Sequence, residues 1–186
     1  MTFKRSHKTV LQRLPMKHST VSLIGMPGAG KSTVGVLLAK ELALNFIDSD
    51  LVIQVRHDAT LQHILQRQGH LALRQLEEEV LLDIPLQNTL LATGGSAVYS
   101  EAAMQRLRHA GPVIFIDVPL EILATRVDNQ DARGIARDPG QDFASVYAER
   151  QPLYQRYADT TIDGDQQSAE AIARILAALY LDERRE

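Results

Sequence analysis

LIGMPGAGKST, residues 23–33, begins as an apolar run, breaks into glycines and ends in a lysine followed by two hydroxyl residues. Gly25, Gly30, Lys31 and Ser32 fill every constrained position of the pattern G-x-x-x-x-G-K-[ST]. Glycines at this spacing let successive backbone N–H groups turn inward around phosphates, and a helix starting at the lysine adds its positive N-terminal end. The flanks agree, with a β-branched apolar run before the loop and the amphipathic segment STVGVLLAKEL after it. Strand, phosphate loop and helix in this order imply an α/β protein that binds a nucleoside triphosphate. Lys31 is expected to reach the outer phosphates and the Ser32 hydroxyl to ligate Mg²⁺, while Gly28, Ala29, Gly30 and Thr33 complete the cradle.

The alternation continues outward from the loop. Apolar, partly β-branched runs stand at Thr20–Ile24, Asn45–Ile47, Thr89–Ala92, Val113–Ile116 and Thr160–Ile162. Segments of helical spacing lie between them, such as Val34, Leu37, Leu38 and Leu42, or Leu61, Ile64 and Leu65. This pattern predicts a parallel sheet covered on both faces, in one domain from residue 20 to 186. DNQDARGIARDPGQD, residues 128–142, breaks the rhythm, and a polar loop of that length in a nucleotide-binding protein reads as a lid, about 127–142.

The remaining composition narrows the function. The absence of cysteine excludes disulfides and thiolate metal sites. A net charge of −3 and a pI near 6.1 give no global reason to expect nucleic acid or an anionic membrane as partner. No apolar run approaches the roughly 20 residues that span a bilayer. A cytoplasmic monomer acting on small molecules is the expectation. Residues 1–19 are basic, with Lys4, Arg5, Lys8, Arg13 and Lys17 and no acid. They read as a flexible arm, or as residues upstream of a start at Met16. A transit peptide is the alternative, and a secretory signal is not expected, since no apolar core follows the basic start.

Several residues bear on where the phosphate goes. Asp48-Ser49-Asp50 follows the second strand, where an open parallel sheet keeps its ligand crevice. One carboxylate there can hold Mg²⁺ and the other can take or orient the proton of an attacking hydroxyl, unless the acid merely caps the next helix. Arg74 precedes Glu77 and Glu78 by three and four residues, so it is either an exposed helical ion pair or a fork for a substrate carboxylate held in place by Glu77. Gly94-Gly95 ends a strand and would let a ligand approach bare backbone, or form a plain turn. Arg150 precedes Pro152, and Tyr154 and Tyr157 further on read as core.

GMPGAGKST, D-S-D, L-R-x-x-E, A-T-G-G and E-R-x-P-L-Y-x-x-x-A-D occur in this order over about residues 20–180, and the set resembles the shikimate kinase family. The resemblance implies a P-loop kinase sandwich, with a five-stranded parallel sheet flanked by helices, an acceptor-binding helical region at about 50–85 and a lid. It implies ATP-dependent phosphorylation of shikimate to shikimate 3-phosphate, on the route to aromatic amino acids. Asp48 would help hold Mg²⁺, and Asp50 would bind the acceptor hydroxyls and take the proton. Arg74, Arg150 and Gly95 would bind the acceptor carboxylate and ring. Lys31 and Arg133 would stabilise the transferring phosphoryl group, and Arg126 would lie against adenine.

Departures from the family pattern cluster around the acceptor. His70 and Leu73 replace the usual acid and phenylalanine, Ser96 replaces a third glycine, and the lid reads Arg133-Gly134-Ile135-Ala136 with Arg137 as a second candidate for the phosphate. Another small hydroxy acid or sugar acid is therefore the alternative acceptor, and a nucleotide-binding protein without kinase activity is the alternative class. His63 and His70 show no metal-ligand spacing and read as surface residues.

Overall fold

The computed structural model describes residues 20–127 and 134–182. Five strands, β1 (Thr20–Ile24), β2 (Asn45–Asp48), β3 (Thr89–Ala92), β4 (Val113–Asp117) and β5 (Thr160–Asp163), form one parallel sheet in the order β2-β3-β1-β4-β5. Each begins where the apolar runs predict, and three of them extend one residue further, to Asp48, Asp117 and Asp163. Those added positions are acids at the C-terminal edge, which periodicity of apolar residues does not detect.

Among the described residues seven helices flank the sheet: α1 (Lys31–Leu42), α2 (Ser49–His57), α3 (Leu61–Asp83), α4 (Glu101–Ala110), α5 (Leu120–Arg126), α6 (Phe143–Tyr157) and α7 (Ala169–Asp182). β1, β3 and β4 are buried almost throughout, the expected condition of parallel strands covered on both faces. α1 lies against α7 and close to the sheet at Gly35. A β-carbon at Gly35 would come within 2.7 Å of the Phe46 ring and 3.0 Å of Leu90. α3 is broken at Gly69, whose φ of 84° leaves the helical region, so α3 is two rods rather than one.

The strand order fixes the crevice. The connection leaving β1 runs to β2 on one side and that leaving its neighbour β4 runs to β5 on the other, so a gap opens beyond the C-terminal ends of the two strands. The glycine-rich loop fills that gap, with φ of 144° at Gly25, 85° at Gly28 and 91° at Gly30. Gly30 also starts α1 without any side-chain cap, which leaves the first N–H groups of the helix for a ligand.

Candidate active site

A cavity of about 760 Å³ opens at this edge, lined by the glycine loop on one side and by α2, α3 and the end of β3 on the other. Gly28, Gly30, Lys31, Ser32, Thr33, Asp48, Asp50, Gly95, Arg126 and Arg150 all line it, so residues scattered from 28 to 150 meet in one space. Ala29 is buried and does not reach the lining. Arg133 lies outside the described residues, as does the basic N-terminal arm.

Lys31 folds back over its own loop and donates to the carbonyls of Gly25 at 2.7 Å and Met26 at 2.9 Å. Burial lowers its pKa to about 8, against the opposing pull of Asp50, Glu77 and Asp48. The Ser32 hydroxyl donates to Asp48 Oδ2 at 2.6 Å. Asp48 also caps α2, its Oδ1 accepting the N–H groups of Asp50 at 3.0 Å and Leu51 at 3.3 Å. The capping and the metal-facing roles are thus compatible, because each uses a different oxygen. Ser49, between the two acids, is fully buried and accepts the Gly94 N–H at 2.8 Å, which ties the start of α2 to the end of β3.

Asp50 and Glu77 converge beyond Gly94, where a β-carbon would collide with a carboxylate oxygen of each. Gly94 is therefore a space requirement of the two acids. Burial raises Asp50 to about 6, with Lys31 opposing and Asp48 adding to the rise. Burial likewise raises Glu77 to about 7, with Asp50 adding and the Ser96 hydroxyl opposing. Two carboxyls held near neutrality beside a buried lysine make a site that can accept and release protons at physiological pH.

The arginines are arranged differently from the sequence expectation. Arg150 is 1% exposed, donates to the Ala136 carbonyl at 2.6 Å and to the Tyr99 hydroxyl at 3.2 Å, and lines the cavity. Arg74 stacks on the Tyr99 ring with its guanidinium 3.9 Å from the centroid and is not among the lining residues. Glu77 does not hold Arg74 as expected, because its carboxylate turns to the Ser96 hydroxyl. Tyr99 is the organiser that sequence reasoning missed: its ring carries both arginines. A single tyrosine in a short 3₁₀ turn has no periodicity to announce it. Tyr154 and Tyr157 are core as expected, and the Tyr154 hydroxyl donates to the Gly95 carbonyl at 2.6 Å.

The segment after residue 133 rests on α3. Ile135 and Ala136 are buried, and a β-carbon at Gly134 would come within 2.7 Å of the backbone of Leu61 and Gln62. His70 Nε2 lies 2.6 Å from Asp138 Oδ1 with only 16% of its side chain exposed. The reading of His70 as a plain surface residue is corrected: it joins α3 to this segment. Arg126 donates to the Gly164 carbonyl at 3.3 Å at the far end of the cavity.

This architecture has clear relatives. The family model for shikimate kinase matches residues 27–180. A shikimate kinase of Vibrio vulnificus is 36% identical over 156 residues, which cover 82% of this chain and 91% of the relative. One from Pseudoalteromonas atlantica is 38% identical over the same shares of both chains. Among solved structures, the shikimate kinase from Acinetobacter baumannii in complex with shikimate superimposes with a TM-score of 0.83 at 29% identity, over 92% of this chain and 97% of that one.

Proposed function

Because this chain belongs to the shikimate kinase family, we propose that it transfers the terminal phosphoryl group of ATP to a ring hydroxyl of shikimate. The observation that carries the reading is the meeting of the glycine loop, Lys31 and Asp50 with Arg150 in one cavity. Phosphoryl transfer asks the protein for positioning and charge neutralisation more than for covalent chemistry. Loop N–H groups and Lys31 hold the phosphates, and nucleotide arrival gives the Lys31 ammonium a phosphate in place of the Gly25 and Met26 carbonyls. Asp50 orients the attacking hydroxyl and accepts its proton. Arg150, with Arg74 behind it on Tyr99 and the backbone of Gly95 nearby, holds the acceptor carboxylate. By the family resemblance Arg126 would lie against the adenine, and Arg133, outside the described residues, would act on the transferring group.

Ser32 and Asp48 fit Mg²⁺, since a hydroxyl and a carboxylate 2.6 Å apart beside the phosphate cradle supply the oxygen donors this ion prefers. When bound, the ion would offset charge on the outer phosphates. The reading further takes residues 20–186 as one kinase domain, with 50–85 binding the acceptor and 127–142 as lid, and residues 1–19 as an appended arm. It takes the protein as a cytoplasmic monomer without nucleic-acid or membrane partners, consistent with a pI near 6.1.

The test is ADP release by the purified protein with MgATP, with and without millimolar shikimate. Shikimate-dependent turnover that Asp50→Asn lowers by at least about 100-fold is the expected result. Nucleotide binding without shikimate-dependent turnover, but with turnover on another hydroxy acid, would move the acceptor elsewhere and leave the phosphate chemistry intact.

A further inference from the structure

Tyr99 stands where α3 and α6 close on the 3₁₀ turn Ala97–Tyr99. Its N–H donates to the Ser96 carbonyl at 3.0 Å, and Ser100 directly after it caps α4, so the backbone is tied on both sides. The ring receives the Arg74 guanidinium from α3 at 3.9 Å from its centroid and the Arg150 guanidinium from α6 at 5.2 Å. The hydroxyl accepts the Arg150 Nε–H at 3.2 Å and donates to the carboxylate of Glu149. Glu149 is held in turn by the Gln141 amide at 2.7 Å.

These contacts sort the donors of Arg150. Nε goes to Tyr99 and Nη2 to the Ala136 carbonyl, while Nη1 lies beside Gly95, 2.9 Å from where a β-carbon there would stand. Gly95 and Arg150 both line the cavity. Tyr154, one turn further along α6, is another hydrogen-bond partner of the guanidinium. Because the group is planar, fixing Nε and Nη2 fixes where Nη1 points. A loose arginine would spread over many rotamers, and a ligand that had to order it would bind more weakly. Two like charges on one ring repel each other, which the negative π face and the Glu149 carboxylate offset.

We propose that Tyr99 is a positioning residue for the acceptor carboxylate: its hydroxyl sets the plane of Arg150 and its ring anchors Arg74, so that a paired cationic receptor exists before the acceptor arrives. Arg150 meets the carboxylate at the cavity wall, and Arg74 adds its charge without entering the lining. The inference rests on the reading of the acceptor given above, and the same role would serve any small anionic acid.

The experiment compares the full chain with Tyr99→Phe, which removes the hydroxyl and keeps the ring, and with Tyr99→Leu, which removes both. Tyr99→Phe should raise KM for shikimate about three- to tenfold, the worth of one hydrogen bond, with kcat and KM for MgATP within about twofold. Tyr99→Leu should raise it about three- to tenfold further, through the lost ring contacts. An unchanged KM in both variants, or an equal rise in KM for MgATP, would overturn the inference. The Arg150 Nε–H resonance of the ligand-free protein gives a readout independent of the acceptor. In Tyr99→Phe it should shift and exchange with water at least about tenfold faster, while that of Arg74 moves only in Tyr99→Leu. An Arg150 resonance that is unchanged in Tyr99→Phe overturns the inference whatever the substrate. Absent shikimate turnover in the unmutated protein, with both resonances moving as expected, would overturn the choice of acceptor and leave Tyr99 as the residue that sets the two arginines.

Discussion

Glu77→Gln preserves the shape of a fully packed side chain and deletes its charge, which separates what the acid does for the fold from what it does for the reaction. In the unfolded chain a glutamate loses its proton near 4.5, whereas burial, with Asp50 adding to it, raises Glu77 to about 7 in the folded protein. The folded state therefore binds this proton more tightly. Such a group favours the fold in acid and costs stability as pH climbs from the unfolded value to the folded one. With about 1.4 kcal/mol for each pH unit across that interval, the cost that accrues between pH 5 and pH 7.5 is about 2 kcal/mol. Glutamine carries no such cost. Asp50 titrates in both proteins, so the gap between the two curves reports Glu77 together with its interaction with Asp50. Urea unfolding of both proteins at pH 5, 6 and 7.5 checks this, with Glu77→Gln expected to gain about 2 kcal/mol on the unmutated protein over the range. Parallel stability curves would refute the argument, because they would mean that Glu77 carries no buried charge at neutral pH.

Gly94→Ala places a methyl group among the oxygens of Asp50 and Glu77. Acceptor-dependent kcat/KM should fall at least about 100-fold while nucleotide affinity stays within a few-fold, measured by turnover and by titration with a fluorescent ATP analogue. Gly35→Ala tests the packing of α1 on the sheet. A helix normally gains about 1 kcal/mol from this change, but the contact at 2.7 Å with the Phe46 ring should turn it into a loss of about 1–3 kcal/mol in urea unfolding.

The fold and the glycine-loop side of the cavity were legible because both are written in local pattern. Glycine spacing around Lys31, β-branched runs and the offset of Asp48 from β2 all act within a few residues of one another. The acceptor half is assembled from residues distant in sequence, and its partnerships could not be read from spacing. Arg74 and Glu77 stand one helical turn apart, which suggests an ion pair, yet a serine on the turn after β3 claims the acid and a tyrosine ring claims the arginine. His70 likewise has no nearby residue to mark it, since its partner Asp138 is brought over from beyond α5. The nearness of Gly94 to two carboxylates was visible only as a pair of glycines. What they make room for depends on α2 and α3 packing against β3's end.

Arg150 donates to the carbonyl of Ala136 at 2.6 Å, so the guanidinium proposed for the acceptor is already engaged by backbone that lines the cavity. Two ligands of one cation are thermodynamically linked. A carboxylate that takes over part of the guanidinium weakens its hold on residue 136, and any change that tightens residue 136 lowers the affinity for the carboxylate by the same factor. Affinity for the carboxylate and the hold on residue 136 are then two readings of a single exchange at Arg150. A substrate lacking the carboxylate would leave that exchange unmade.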